Sequence, residues 1–259
     1  MVYIDMHCHW DDDRFASNQS ELITRGIQDG IGYWISSALD STSVDYHLKL
    51  QARYPQILIS MGIHPFDLDR SGTMLSPMEE AIYQNPPQAV GECGLDFSDG
   101  TAQRAEQTEL FLRQTRWAYD LQRPVILHIR KGYYEFRHLL NRFAYLRELP
   151  MIFHSFSGPE NLIPEFLKYN LYFSFSGAFT AHRALRLHQK ITMLPISRLL
   201  LETDAPYIKP FDCPGHYNTP LNIIFIYHHA AQLLKIEHLC LRDQIYQNFS
   251  RLFPFIISH

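Results

Sequence analysis

The sequence has no excess of positive charge. Its 23 Lys and Arg residues are outnumbered by 27 Asp and Glu residues, which gives a net charge of −4. A protein that wraps around duplex nucleic acid usually carries a basic stripe along its surface. Any contact with phosphate must therefore be local, and a nucleic-acid substrate would be held near its end.

Paired cysteines and long apolar runs are also missing. The chain has four cysteines and no CxxC spacing, which excludes a zinc ribbon and a dense disulfide framework. No stretch approaches the roughly 18 apolar residues needed to cross a bilayer, and the first residues do not resemble a secretory signal. We therefore expect a cytoplasmic protein without a membrane partner, and no segment points to an obligatory protein partner.

Short apolar runs are what the sequence has in quantity, and they alternate with stretches of helical spacing. This alternation is typical of βα units that build a parallel sheet. No Gly/Ser linker or charge block divides the chain, so we predict a single domain over residues 1–259. Eight such units in about 250 residues favour a (β/α)8 TIM barrel, with a doubly wound open sheet as the alternative. The predicted strands are residues 2–6, 31–37, 57–61, 89–92, 124–129, 151–154, 171–175 and 198–202.

The clearest predicted helix precedes the fifth strand, and residues 132–148 and 221–234 have a similar pattern. In the first of these helices, apolar residues recur at a spacing of three and four and form one buried face. That face consists of Leu110, Phe111, Gln114, Trp117, Ala118 and Leu121.

Metal-ligand types of residue occur at the carboxyl ends of the predicted strands. In a TIM barrel these ends open onto one mouth, so residues far apart in the chain meet there. Imidazole and carboxylate ligands suit Zn, Mn and related divalent ions, and carboxylates can bridge two ions in hydrolases. The sequence therefore predicts a divalent-metal-dependent hydrolase. Its predicted ligands are His7, His9, Glu92, His128, His154 and Asp204.

Six motifs in this order resemble the TatD family of metal-dependent hydrolases, within the amidohydrolase-like group of TIM barrels. The motifs are IDMHCH at 4–9, GIHP at 62–65, GECGLDF at 91–97, PVILHIR at 124–130, HSFSG at 154–158 and LETDAP at 201–206. The resemblance implies two divalent ions, with Mg, Mn and Zn as candidates. One ion would be held by His7, His9, Glu92 and Asp204, and the other by Glu92, His128 and His154, so that Glu92 bridges them.

The resemblance also implies an activity, because the family commonly cleaves phosphodiesters as a Mg- or Mn-dependent deoxyribonuclease acting on DNA ends. We expect Glu92 and Asp204 to be the catalytic carboxylates, with Asp204 orienting the attacking water or accepting its proton. His64 and Arg130 are the expected phosphate contacts. Asp96 either fixes a ligand histidine or caps a turn.

Three functions remain open at this point. The first is a nuclease whose partner is DNA, single-stranded or at an end. The second is an amide or ester hydrolase, such as a deacylase acting on a small or nucleotide-linked substrate. The third is a binding protein that keeps the metal for stability. The segment HYNTP at 216–220 lacks the Arg that the family commonly has before this Asn, and the difference bears on substrate preference.

Overall fold

The computed structural model describes residues 1–98 and 103–257, which contain eight strands alternating with helices. The strands are Tyr3–Cys8 (β1), Ile31–Ala38 (β2), Ile57–Met61 (β3), Ala89–Asp96 (β4), Val125–Arg130 (β5), Met151–Phe153 (β6), Leu171–Phe175 (β7) and Leu199–Leu201 (β8). The helices are Gln19–Gln28 (α1), Ser41–Arg53 (α2), Ser71–Gln84 (α3), Arg104–Leu121 (α4), Tyr133–Arg142 (α5), Ile163–Phe166 (α6), Leu185–Met193 (α7), Ile223–Leu234 (α8), His238–Leu252 (α9) and Pro254–Ile257 (α10). No helix within these described ranges is long and apolar enough to cross a membrane.

The chain divides into two compact units. The terminal unit comprises Met1–Ser36, Gln51–Leu58 and Phe173–His259, and the central unit comprises Ser37–Leu50 and Ile59–Tyr172. The single domain expected over residues 1–259 stays a prediction.

In the terminal unit, β1 pairs in parallel with β2, and β7 pairs in parallel with β8. The chain beyond β8 continues this pattern against the end of β1. The amide of His9 donates to the carbonyl of Ala205 at 2.8 Å, and the amide of Asp204 donates to the carbonyl of His7 at 2.9 Å. These backbone bonds bring the first and last ligand motifs of the sequence side by side.

In the central unit, β3, β4, β5 and β6 pair in parallel in that order. All eight residues of β4 are buried, as expected for a strand covered on both faces. The approach of β4 to β5 requires glycine at Gly94, since a Cβ there would lie 1.9 Å from the carbonyl oxygen of His128. The glycine therefore allows the ligand-bearing part of β4 to lie directly against β5.

The strand order of the sheet is the order of the chain, β1 to β8. A doubly wound sheet would reverse its strand order at a switch point, so the open-sheet alternative is wrong. Several predicted ends shift. β1 extends to Cys8 and β4 to Asp96, so His7 and Glu92 lie inside strands. The predicted helix 132–148 ends at Arg142, because Phe143 adopts an extended backbone before a short 3-10 turn.

Candidate metal centre

A first ligand cluster forms in the terminal unit from His7, His9 and Asp204. The Nε2 atoms of the two histidines are 3.2 Å apart. Asp204 Oδ1 lies 3.5 Å from Nε2 of His9 and 3.8 Å from Nε2 of His7. Residues two apart on a strand point to the same side, which is why both imidazoles face the same carboxylate.

A buried carboxylate, Asp5, holds this first cluster from behind. Its oxygens accept hydrogen bonds from the amide of Thr203 at 2.8 Å, from the hydroxyl of Thr203 at 2.6 Å and from the amide of His7 at 3.3 Å. Burial raises the pKa of Asp5, and the bonds from Thr203 and His7 oppose that shift. Asp5 thus joins the backbone of β1 to the residue that precedes Asp204.

A second ligand cluster forms in the central unit from Glu92, His128 and His154. Glu92 Oε2 lies 3.5 Å from Nδ1 of His128 and 3.5 Å from Nε2 of His154. The side chain of Glu92 is only 4% exposed. The carboxylate of Glu92 therefore lies within 3.5 Å of one nitrogen of each histidine. Ligand atoms of His64, Glu92 and His128 also lie within 4.8 Å of one another.

Asp96 orients His128 within this second cluster. Nε2 of His128 lies 3.0 Å from Asp96 Oδ2, while the amide of Ser98 donates to Asp96 Oδ1 at 2.8 Å. Burial favours a higher pKa for Asp96, but the bonds from His128 and Ser98 outweigh it and lower the pKa to about 2. Burial likewise favours a lower pKa for His128, and the bonds to Asp96 and Glu92 outweigh it and raise the pKa. With Nε2 engaged by Asp96, Nδ1 is the nitrogen available to an ion.

His64 lies directly after β3 and packs against His128, with ring centroids 4.2 Å apart. Burial lowers the pKa of His64 to about 4, so the ring is neutral at pH 7. The amide of Phe66 donates to Nδ1 of His64 at 3.1 Å, and a neutral imidazole carries its proton on the other nitrogen. Nε2 of His64 is therefore a hydrogen-bond donor, which suits contact with an anionic oxygen better than metal ligation.

Arg130 is the last residue of β5, two positions after His128, and its side chain is exposed. Within the described part of the chain, its guanidinium has no ion pair or hydrogen bond. Among residues 1–98 and 103–257, the charge of this predicted phosphate contact is not neutralised by a carboxylate.

Two buried glutamines of α4 bind backbone groups next to the site residues, and neither was predicted to belong to the site. Gln114 accepts from the amide of Ile63 at 2.7 Å and donates to its carbonyl at 3.0 Å. Gln107 makes the same pair of bonds with the backbone of Asp96, at 2.9 and 3.0 Å. One helix thus positions the residue before His64 and the carboxylate behind His128.

The donor atoms present fit divalent metal ions. Each cluster offers two imidazole nitrogens and one carboxylate oxygen, a set that suits Zn, Mn and related ions and leaves further positions for water or substrate. The hydrogen bond between a ligand histidine and Asp96 is the arrangement usual around protein-bound metals. The predicted ligands are thus brought together within each unit.

Comparisons with known proteins agree with this fold. The family model described as TatD related DNase matches residues 4–254. The 3′-5′ ssDNA/RNA exonuclease TatD of Escherichia fergusonii is 29% identical over 250 residues, which cover 93% of this chain and 94% of that protein. The uncharacterized metal-dependent hydrolase YjjV of Escherichia coli K12 is 31% identical over 223 residues, which cover 84% of this chain and 85% of that protein. The crystal structure of YjjV, a TatD homolog, matches with a TM-score of 0.89 at 28% identity. The match covers 97% of this chain and 98% of YjjV.

The strand order and the ligand clusters define a metal-dependent hydrolase with the TIM-barrel fold, so the predicted fold class is confirmed. The chain belongs to the TatD family. The resemblance noted in the sequence is thereby confirmed, and the reading as a non-catalytic scaffold is set aside.

Proposed function

We propose that this hydrolase is a TatD-type deoxyribonuclease that cleaves phosphodiester bonds near the ends of single-stranded DNA. The relatives named as 3′-5′ ssDNA/RNA exonucleases support this substrate class. The net charge of −4 also fits an enzyme that holds only the end of a strand.

In this proposal, His7, His9 and Asp204 hold one divalent ion, and Glu92, His128 and His154 hold a second. The shared role of Glu92 as a bridge stays a prediction. Bound divalent ions would lower the pKa of a water molecule and offset the charge that develops on the phosphate. The proposal assigns the remaining tasks to side chains of the protein.

Asp204 takes the proton of the attacking water, because its carboxylate is only 10% exposed and lies within 3.8 Å of both ligand imidazoles. His64 donates from Nε2 to a phosphate oxygen, and Arg130 supplies a positive charge to the same group. The observation that carries the proposal is the convergence of His7, His9 and Asp204, since this set of donors is suited to activating water.

The experiment that tests this function is hydrolysis of single-stranded DNA labelled at either the 5′ or the 3′ end. The protein is stripped of metal, and Mg²⁺, Mn²⁺ or Zn²⁺ is added back. Progressive shortening that needs metal and is lost in Glu92→Ala supports the proposal and gives the direction of digestion. Glu80→Ala is the matched control, because Glu80 is an exposed carboxylate of α3 that accepts a bond from Gln84. Absence of shortening with every metal would refute the nuclease and turn the search to amide and ester conjugates.

A further inference from the structure

Tyr207 is a half-exposed aromatic ring beside the first ligand cluster. It is 49% exposed, although it lies only three residues after Asp204. Its ring meets that of His9 edge-on, with centroids 5.6 Å apart and planes at 78°. An aromatic ring in this position is one side chain away from any group bound at the cluster.

Arg14 supports the ring of Tyr207. Its guanidinium carbon lies 4.7 Å from the centroid of that ring. Arg14 is itself fixed by two bonds to the carboxylate of Asp12, at 2.7 and 2.8 Å. The hydroxyl of Tyr217 also donates to the carbonyl of Arg14 at 3.1 Å. The guanidinium is thus held by Asp12, and it also interacts with the side chain of Tyr207.

An acidic run, Asp11–Asp13, directly precedes Arg14 in the sequence. The ion pair with Arg14 neutralises Asp12 and lowers its pKa. The rim next to His9 is therefore less repulsive to an anionic ligand than the sequence alone suggests. Its exposed side chains include the aromatic ring of Tyr207 and the guanidinium of Arg14, beside the carboxylate of Asp13.

We propose that Tyr207, backed by Arg14, is the platform on which the nucleobase of the nucleotide being cleaved stacks. An aromatic face attracts every nucleobase, and an arginine beside the ring adds to this attraction. Stacking of this kind is tolerant of sequence, as a nuclease acting on strand ends requires. A base is separated from its own phosphate by a single sugar, which matches a ring that touches a predicted ligand of the phosphate-binding ion.

This inference rests on the proposed nuclease function and names the part of the substrate that the site recognises. Binding tests it separately from hydrolysis. The probes are thymidine 5′-monophosphate and 2-deoxyribose 5-phosphate, in which a hydroxyl replaces the base on C1′. Both are titrated calorimetrically into the full-length protein loaded with Mn²⁺, and the ratio of the two dissociation constants is measured.

We expect thymidine 5′-monophosphate to bind the wild type about 5- to 150-fold more tightly than the sugar phosphate, the range that stacking of one base supplies. Tyr207→Leu should reduce the ratio to about twofold or less, because it removes the ring and keeps an apolar side chain. Tyr207→Phe should keep the ratio, since stacking does not need the hydroxyl. Tyr83→Leu is the control, because Tyr83 is a comparably exposed tyrosine, 44%, on α3. Manganese content should be equal in all four proteins.

A wild-type ratio near one overturns the inference, as does a ratio that Tyr207→Leu leaves unchanged. The wild-type ratio needs no variant, so the test does not depend on how a variant folds. Hydrolysis of labelled DNA by the same samples tells the two proposals apart. Preferential binding of the nucleotide without DNA shortening supports the platform and refutes the nuclease. DNA shortening without any preference for the base supports the nuclease and refutes the platform.

Discussion

Replacement of Asp96 by asparagine removes the charge behind His128 while nearly preserving the shape of the side chain. Asp96 is fully buried at its side chain and, with its pKa lowered to about 2, is ionised at neutral pH. Asparagine can accept the bond from Nε2 of His128 or the bond from the amide of Ser98, but its NH2 group opposes the other donor. Loss of such a partner behind a ligand histidine typically weakens metal binding by about 10- to 100-fold. The corresponding free energy is about 1.4 to 2.7 kcal/mol.

The assay is hydrolysis measured against free Mn²⁺ in chelator-buffered solutions. Asp96→Asn should raise the half-saturating Mn²⁺ concentration by about 10- to 100-fold, with most turnover restored at saturation. Asp120→Asn is the matched control, because Asp120 is an exposed aspartate that accepts one bond from Tyr83. A folded Asp96→Asn protein whose Mn²⁺ requirement stays within about twofold of the wild type would show that Asp96 does not tune the cluster.

Three further predictions concern the proposed chemistry and the packing that positions it. Asp204→Asn should lower kcat by at least about a hundredfold while the Tm stays close to that of the wild type, and near-normal turnover would rule out its role in proton transfer. Gly94→Ala should yield little folded protein by circular dichroism, since its Cβ would lie 1.9 Å from a carbonyl oxygen of β5. Gly72→Ala is the control: a Cβ there would have no atom within 4 Å, so this variant should melt at or above the wild-type temperature. Equal melting temperatures of the two variants would contradict this prediction. Gln107→Met removes the two bonds to the backbone amide and carbonyl of Asp96. The free energy of unfolding measured in urea should therefore fall by about 2 to 6 kcal/mol. A fall no larger than that of Gln84→Met, on the exposed face of α3, would contradict this prediction.

The strand positions could be predicted from hydrophobic runs alone, and β3 and β7 begin and end where the runs do. Two strands that carry ligands, β1 and β4, extend further than predicted. Their apolar runs stop at polar residues such as His7 and Glu92, but the backbone ladder continues past them. A reading based on side-chain hydrophobicity therefore ends a strand at the point where its functional residues begin.

The metal-ligand types could also be found in the sequence, because a histidine or carboxylate next to a buried strand is conspicuous. The residues that hold these ligands in place could not be found in this way. Gln107 and Gln114 are polar helix residues, and such residues usually face solvent, although the predicted apolar face of α4 already included Gln114. Their spacing of seven places them on that same face. A glutamine on an apolar helix face is therefore a signal for a backbone contact.

Asn218 lies in the segment HYNTP at 216–220 and has a structural task there. The resemblance connected the residue before this asparagine with substrate preference, and the side chain of Asn218 itself is completely buried. Its amide donates to the carbonyls of Thr203 at 2.8 Å and of Ile208 at 3.4 Å, and these residues flank the turn that carries Asp204 and Tyr207. Because Asn218 is committed to fixing this turn, it cannot select a substrate. In the proposed function, substrate contact at this turn falls to its exposed residues, of which Tyr207 lies against His9 of the first ligand cluster.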